Sequence, residues 1–111
     1  MNDEKNTPLL SFCSDEDKLY AYVSGEIDHH TAAELRETID LAANEYKPTL
    51  LVLDFKNVSF MDSSGIGVIM GRYRLMSSMG GTVSVTGAVA YIEKILRLSG
   101  LDKIIHIAKG A

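Results

Sequence analysis

At 111 residues the chain has the length of a single domain able to bury one core unaided, and its lone cysteine, Cys13, leaves no internal disulfide to form. A formal net charge of −4 speaks against a nucleic-acid binder. No apolar run approaches the roughly 18 residues of a membrane span, no metal-ligand spacing of cysteine and histidine occurs, and the opening MNDEKNTPLL has no signal-peptide core. A cytoplasmic protein with no cofactor, metal or membrane insertion is expected.

Residues 1–8 read as a polar tail, 9–108 as one domain and 109–111 as its C-terminal end. Strands are expected at 9–13 and 18–24 around the polar turn Ser14-Asp15-Glu16-Asp17, because Leu19, Ala21 and Val23 alternate with Tyr20, Tyr22 and Ser24. Thr31 and Glu34 have the spacing of a capping box, and Leu35, Ile39, Ala42 and Tyr46 follow at helical intervals until Pro48. LLVLDF at 50–55 is short and almost continuously apolar, the pattern of a strand buried on both faces. A second helix starts at the Asp62-Ser63 junction, aligns Ile66, Ile69, Tyr73 and Met76 on one face, and stops at Gly80-Gly81. A strand at 82–86, a third helix carrying Ile92, Ile95, Leu96 and Ser99 and ended by Gly100, and a strand at 104–107 follow. Strands alternating with helices predict a small α/β domain: a mostly parallel mixed sheet of about five strands, about three to four helices, right-handed crossovers, and functional residues at the carboxyl ends of the strands.

The segment FMDSSGIGVIMGRYR at 60–74 holds the candidate chemistry. Ser63 or Asp62 is the expected N-cap, and a hydroxyl held there is exposed, fixed in direction and set in the positive potential of the helix end. A plain cap accounts for such a serine. A nucleophile elbow is disfavoured, since Met-Asp-Ser-Ser-Gly lacks the glycine two residues before the serine and nothing in the sequence brings His29, His30 or His106 to it. Gly65, Gly67 and Gly71 are spaced one residue too widely for a dinucleotide fingerprint. Gly67 and Gly71 are expected instead to form a flat stripe that lets the sheet or a partner come close. Val68, Met70, Leu75 and Met79 fall partly outside the apolar face, so this helix is either deeply buried or offers a second side to a partner. Residues 1–62 hold 13 acids and 5 bases, against 2 and 6 in 63–111, and Glu26, Asp28 and Asp62 are candidates for an acidic patch facing a basic partner.

Four blocks resemble, in order and spacing, the STAS domain of anti-sigma factor antagonists, and most of all those acting in sporulation. They are Gly25-Glu26-Ile27-Asp28-His29-His30-Thr31-Ala32, Ser59-Phe60-Met61-Asp62-Ser63-Ser64-Gly65, the following Gly-Val-Ile-Met-Gly-Arg-Tyr, and Ser99-Gly100-Leu101-Asp102-Lys103-Ile104-Ile105. The resemblance spans residues 10–107 and implies a phosphoprotein of transcription regulation rather than an enzyme. In such proteins the unphosphorylated form binds an anti-sigma factor that is itself a serine kinase, releasing the sigma factor. Phosphorylation of the serine after the aspartate, here Ser63, ends that binding, and a serine phosphatase resets it. The same resemblance assigns the partner surface to Asp28, Met61, Asp62, Ser64, Ile66 and Arg72, with Ser64 as the competing acceptor hydroxyl. A STAS scaffold in stress signalling, a transport accessory subunit, and more remotely a small nucleotide-binding protein or hydrolase are the other readings.

Overall fold

The computed structural model describes residues 9–108, so the expected tail at 1–8 and end at 109–111 lie outside the described residues. The elements run β1 (Leu9–Asp15), β2 (Lys18–Ile27), α1 (Ala32–Tyr46), β3 (Leu50–Met61), α2 (Ser63–Ser78), β4 (Thr82–Thr86), α3 (Ala90–Leu98), a 3-10 turn (Leu101–Lys103) and β5 (His106–Ile107). The strands lie in the order β1-β2-β3-β4-β5, antiparallel at the β1–β2 hairpin and parallel elsewhere. Every crossover joins neighbouring strands, so right-handed connections put the three helices on one face of the sheet. Among the described residues no helix is long and apolar enough to cross a membrane.

Alternate strand residues point at the helices and form the core: Leu19, Ala21 and Val23 on β2, Leu51, Leu53 and Phe55 on β3, Val83 and Val85 on β4. They meet Leu35, Ile39 and Ala43 of α1, Val68, Ile69 and Met76 of α2, and Ile92 and Leu96 of α3. The opposite face carries Tyr20, Tyr22, Asp54, Ser84 and His106, with the two tyrosine rings stacked at 6.3 Å. LLVLDF is therefore fully buried toward the helices and only partly covered on the other side, where Val52 is buried but Leu50 and Asp54 are half-buried.

Four expectations change. β3 runs six residues past Phe55, because register shifts between Tyr22 and Ser24 and between Gly25 and Glu26 let Phe55, Val58 and Met61 be buried three apart instead of two. The buried stripe of α2 is Gly65, Val68, Ile69, Arg72 and Met76, while Ile66 and Tyr73 are only half-buried. Arg72 takes an inner position because Asp40 of α1 meets it there. Gly67 and Gly71 do not bring the sheet close: a Cβ built on either would meet nothing of this chain within 4 Å. Gly65 does, since a Cβ there would overlap Cγ and Sδ of Met61. The strand at 104–107 shortens to two residues after Gly100 turns left-handed at φ +86° and the 3-10 turn buries Leu101.

Candidate functional site

The chain enters α2 through Asp62, which is extended and caps the helix: Ser64 N–H donates to its Oδ1 at 2.8 Å, and Gly65 N–H to its carbonyl at 3.0 Å. The cap is thus Asp62, and Ser63 is the first residue inside the helix. Ser63 is exposed, and among the described residues its hydroxyl makes no hydrogen bond, to a histidine or otherwise. A hydroxyl so placed is open to modification and has no base to make it a nucleophile.

A second capped helix end stands beside the first. Ile27 pairs with Met61 across β2 and β3, and Asp62 N–H donates to the Ile27 carbonyl at 3.1 Å, so the turn 28–31 lies next to the Asp62 turn. There the expected capping box does not form, as Thr31 makes no side-chain cap bond. Asp28 does the work instead: its Oδ1 accepts from His30 N–H at 2.9 Å and Thr31 N–H at 3.1 Å, and its carbonyl from Ala32 N–H at 2.9 Å. Thr31, 5% exposed, pins the turn by accepting from Asp28 N–H at 3.0 Å and donating to the Glu26 carbonyl at 3.1 Å. Desolvation pushes the Asp28 carboxyl upward, but the bonds from Thr31 and His30, with the charge of His30, outweigh it and hold its pKa below the ordinary carboxylate value.

Asp62, Ser64 and Ile66 are half-buried next to the exposed Ser63 in sequence, and the Asp62 N–H to Ile27 carbonyl bond sets the half-buried Asp28 and its turn beside them. Met61 and Arg72 stand apart. Met61 is 2% exposed and lies against Gly65, and Arg72 is 4% exposed and ion-paired to Asp40, so neither side chain reaches the surface to touch a partner as expected. Sequence reasoning missed Thr31 as a buried network residue and Asp40 as the partner of Arg72, because neither has a local signal. It also missed an apolar rim of exposed Phe60, Val89 and Tyr91, where the Tyr91 hydroxyl donates to the Ser59 carbonyl at 3.1 Å.

An aspartate-capped helix end that carries an exposed serine thus stands beside a hydrogen-bonded turn built on Asp28, at the carboxyl ends of two neighbouring parallel strands of a sheet covered by helices on one face. The chain belongs to the STAS-domain family, whose model matches residues 15–110. It is 43% identical over 89 residues to an anti-sigma F factor antagonist of Paenibacillus polymyxa, covering 80% of this chain and 76% of that protein. It is 30% identical over 93 residues to an anti-sigma-B factor antagonist of Bacillus subtilis, covering 84% of each. Among solved structures, the anti-sigma factor antagonist SpoIIAA in its unphosphorylated form superposes with a TM-score of 0.77 at 26% identity, over 91% of this chain and 89% of that one. SpoIIAA in its phosphorylated form gives 0.69 at 26% identity, over 91% and 92%.

Proposed function

We propose that the protein is an anti-sigma factor antagonist acting in sporulation by partner switching. Unmodified, it binds an anti-sigma factor that is also a serine kinase, through the surface around Ser63, and so frees the sigma factor. Phosphorylated on Ser63, it lets go, and a serine phosphatase restores it. It is a kinase substrate rather than an enzyme, and it works in the cytoplasm. The observation that carries the reading is the exposed, unbonded Ser63 hydroxyl at the first position of a capped helix. Two relatives support it: an anti-sigma F factor antagonist at 43% identity, and one solved in both phosphorylation states.

Phosphate adds about −1.5 to −2 charges at neutral pH. At a helix N-terminus that charge is favourable by about 0.3–1 kcal/mol, so the fold tolerates it. Asp62 already occupies the Ser64 and Gly65 N–H groups, however, so the phosphate adds to a carboxylate instead of replacing it. Inside a closed interface the dianion would have to shed water beside Asp62 and Asp28. Since about 1.4 kcal/mol is a factor of ten in affinity, a modest electrostatic cost is enough to release the partner.

The test is to incubate the protein with its anti-sigma kinase and ATP and to map the site by mass spectrometry, with Ser63→Ala and Ser64→Ala in parallel. One added phosphate is expected, lost in Ser63→Ala and kept in Ser64→Ala. No phosphate with a demonstrably active kinase would reduce Ser63 to an ordinary helix residue and favour a scaffold or transport role.

A further inference from the structure

α1 and α2 share an apolar core that includes Ile39, Ala43, Val68 and Ile69, and such burial is non-directional. Among the described residues, one polar link joins them. Arg72 Nε lies 2.7 Å from Asp40 Oδ1, and its Nη2 donates to Asp40 Oδ2 at 3.2 Å. The Nε contact is bent, a close charge contact more than an aligned hydrogen bond. The guanidinium is also tied to its own helix, with Nη1 donating to the Val68 carbonyl at 3.2 Å. Held at both ends and buried, it has no freedom to extend outward.

The position of this pair along the helices is informative. β2, β3 and β4 are parallel, so α1 and α2 both run back from the carboxyl end of the sheet and are parallel to one another. Asp40 lies eight residues past Ala32, the start of α1, and Arg72 nine past Ser63, the start of α2. At 1.5 Å per residue the link sits about 12 Å and about 13.5 Å below the two N-termini. It therefore lies at nearly the same depth on both helices, a second tie below the Asp62 N–H to Ile27 carbonyl bond at the sheet end.

We propose that the Arg72–Asp40 pair is a register pin: it aligns the N-termini of α1 and α2 so that Asp28 and Ser63 are offered as one surface. Arg72 is a positioning residue that never touches the partner. Arg72 is buried but the Asp40 side chain is 34% exposed, and a pair partly open to water adds little net stability, so a pin of this kind contributes alignment more than stability. The proposal rests on the reading that the partner meets Asp28 and Ser63 together, but the alignment itself is observable in the free protein.

The experiment compares Arg72→Met, Asp40→Asn and the apolar pair Asp40→Leu/Arg72→Met with wild type, recording thermal melts, amide chemical shifts at 28–32 and 63–65, and affinity for the anti-sigma kinase. The apolar pair is expected to melt close to wild type yet to shift the amides of both helix starts and to bind about tenfold more weakly. The two single variants are expected to perturb the same amides. If the apolar pair leaves the amides unmoved, the pin is refuted whatever the partner does. If Asp40→Asn is silent while Arg72→Met loses binding, Arg72 touches the partner directly and the proposal fails. Shifted amides with no binding even in wild type would uphold the pin and sink the partner reading alone.

Discussion

Gly65 and Gly67 sit two residues apart in the same helix and should respond oppositely to one methyl group. A Cβ at Gly65 overlaps Met61, which is itself buried at the end of β3, so Gly65→Ala forces a core side chain aside at a net cost of about 1–3 kcal/mol. A Cβ at Gly67 meets nothing, and there Ala gains about 0.5–1 kcal/mol from its helix propensity. Chemical denaturation of the two variants checks the opposite signs; equal effects would mean that Met61 is free to move. In sequence the two glycines look alike, and Gly67 with Gly71, not Gly65, was expected to let the sheet or a partner come close. Only the return of β3 beneath α2 distinguishes them. Ser63 itself was legible, because an acid-serine pair between an apolar run and a helical period marks a helix start. Which residue of the pair caps depended on backbone angles that the sequence does not carry.

At the scale of elements, the turn from β2 into α1 is a closed hydrogen-bonded unit built on Asp28 and Thr31. The Asp28 carboxyl has a lower pKa folded than unfolded, so its stabilising contribution is complete above the unfolded carboxylate value, near pH ~4, and fades as pH falls through the folded value. The gap in melting temperature between wild type and Asp28→Asn should accordingly be widest at neutral pH and shrink below about pH 4. A gap that persists unchanged at pH 3 would mean that the ionised carboxylate has no part in the turn. The T-x-x-E spacing at Thr31 suggested a helix-start signal, and a helix does start there. The chemistry differs because the Thr31 hydroxyl is taken up by Asp28 N–H and the Glu26 carbonyl, while the Asp28 carboxylate bonds the N–H groups of His30 and Thr31 ahead of the helix. The outer half of β3 was illegible for a related reason: register shifts against β2 replace the two-residue alternation of burial with a spacing of three, which no pattern read from one strand can reveal. The α2 stripe was read one position off because an arginine was not counted as an inward residue. What makes it inward is a carboxylate 32 positions away in sequence.

For the whole molecule, simple sheet order determines the function-bearing surface. Neighbouring β2 and β3 end together, the turns that follow them are built on Asp28 and Asp62, and of the two unbonded hydroxyls there, Ser63 and Ser64, that of Ser63 belongs to the exposed residue while Ser64 is half-buried. Fold class, strand number and helix number were readable from alternation of period alone, since those depend on local pattern. The union of Asp28 with Ser63 is a tertiary fact: charge placed Asp28 and Asp62 only as candidates for one acidic patch, and resemblance put Asp28 on the partner surface. The central claim is that a charge on Ser63 decides partner binding while the fold stands unchanged. Isothermal titration of the anti-sigma factor into the unmodified protein and into protein stoichiometrically phosphorylated on Ser63, with melts of both, tests it most directly. The account predicts binding weakened by about a hundredfold or more, near 3 kcal/mol, with melting temperatures close together. Equal affinities for the two forms would contradict it.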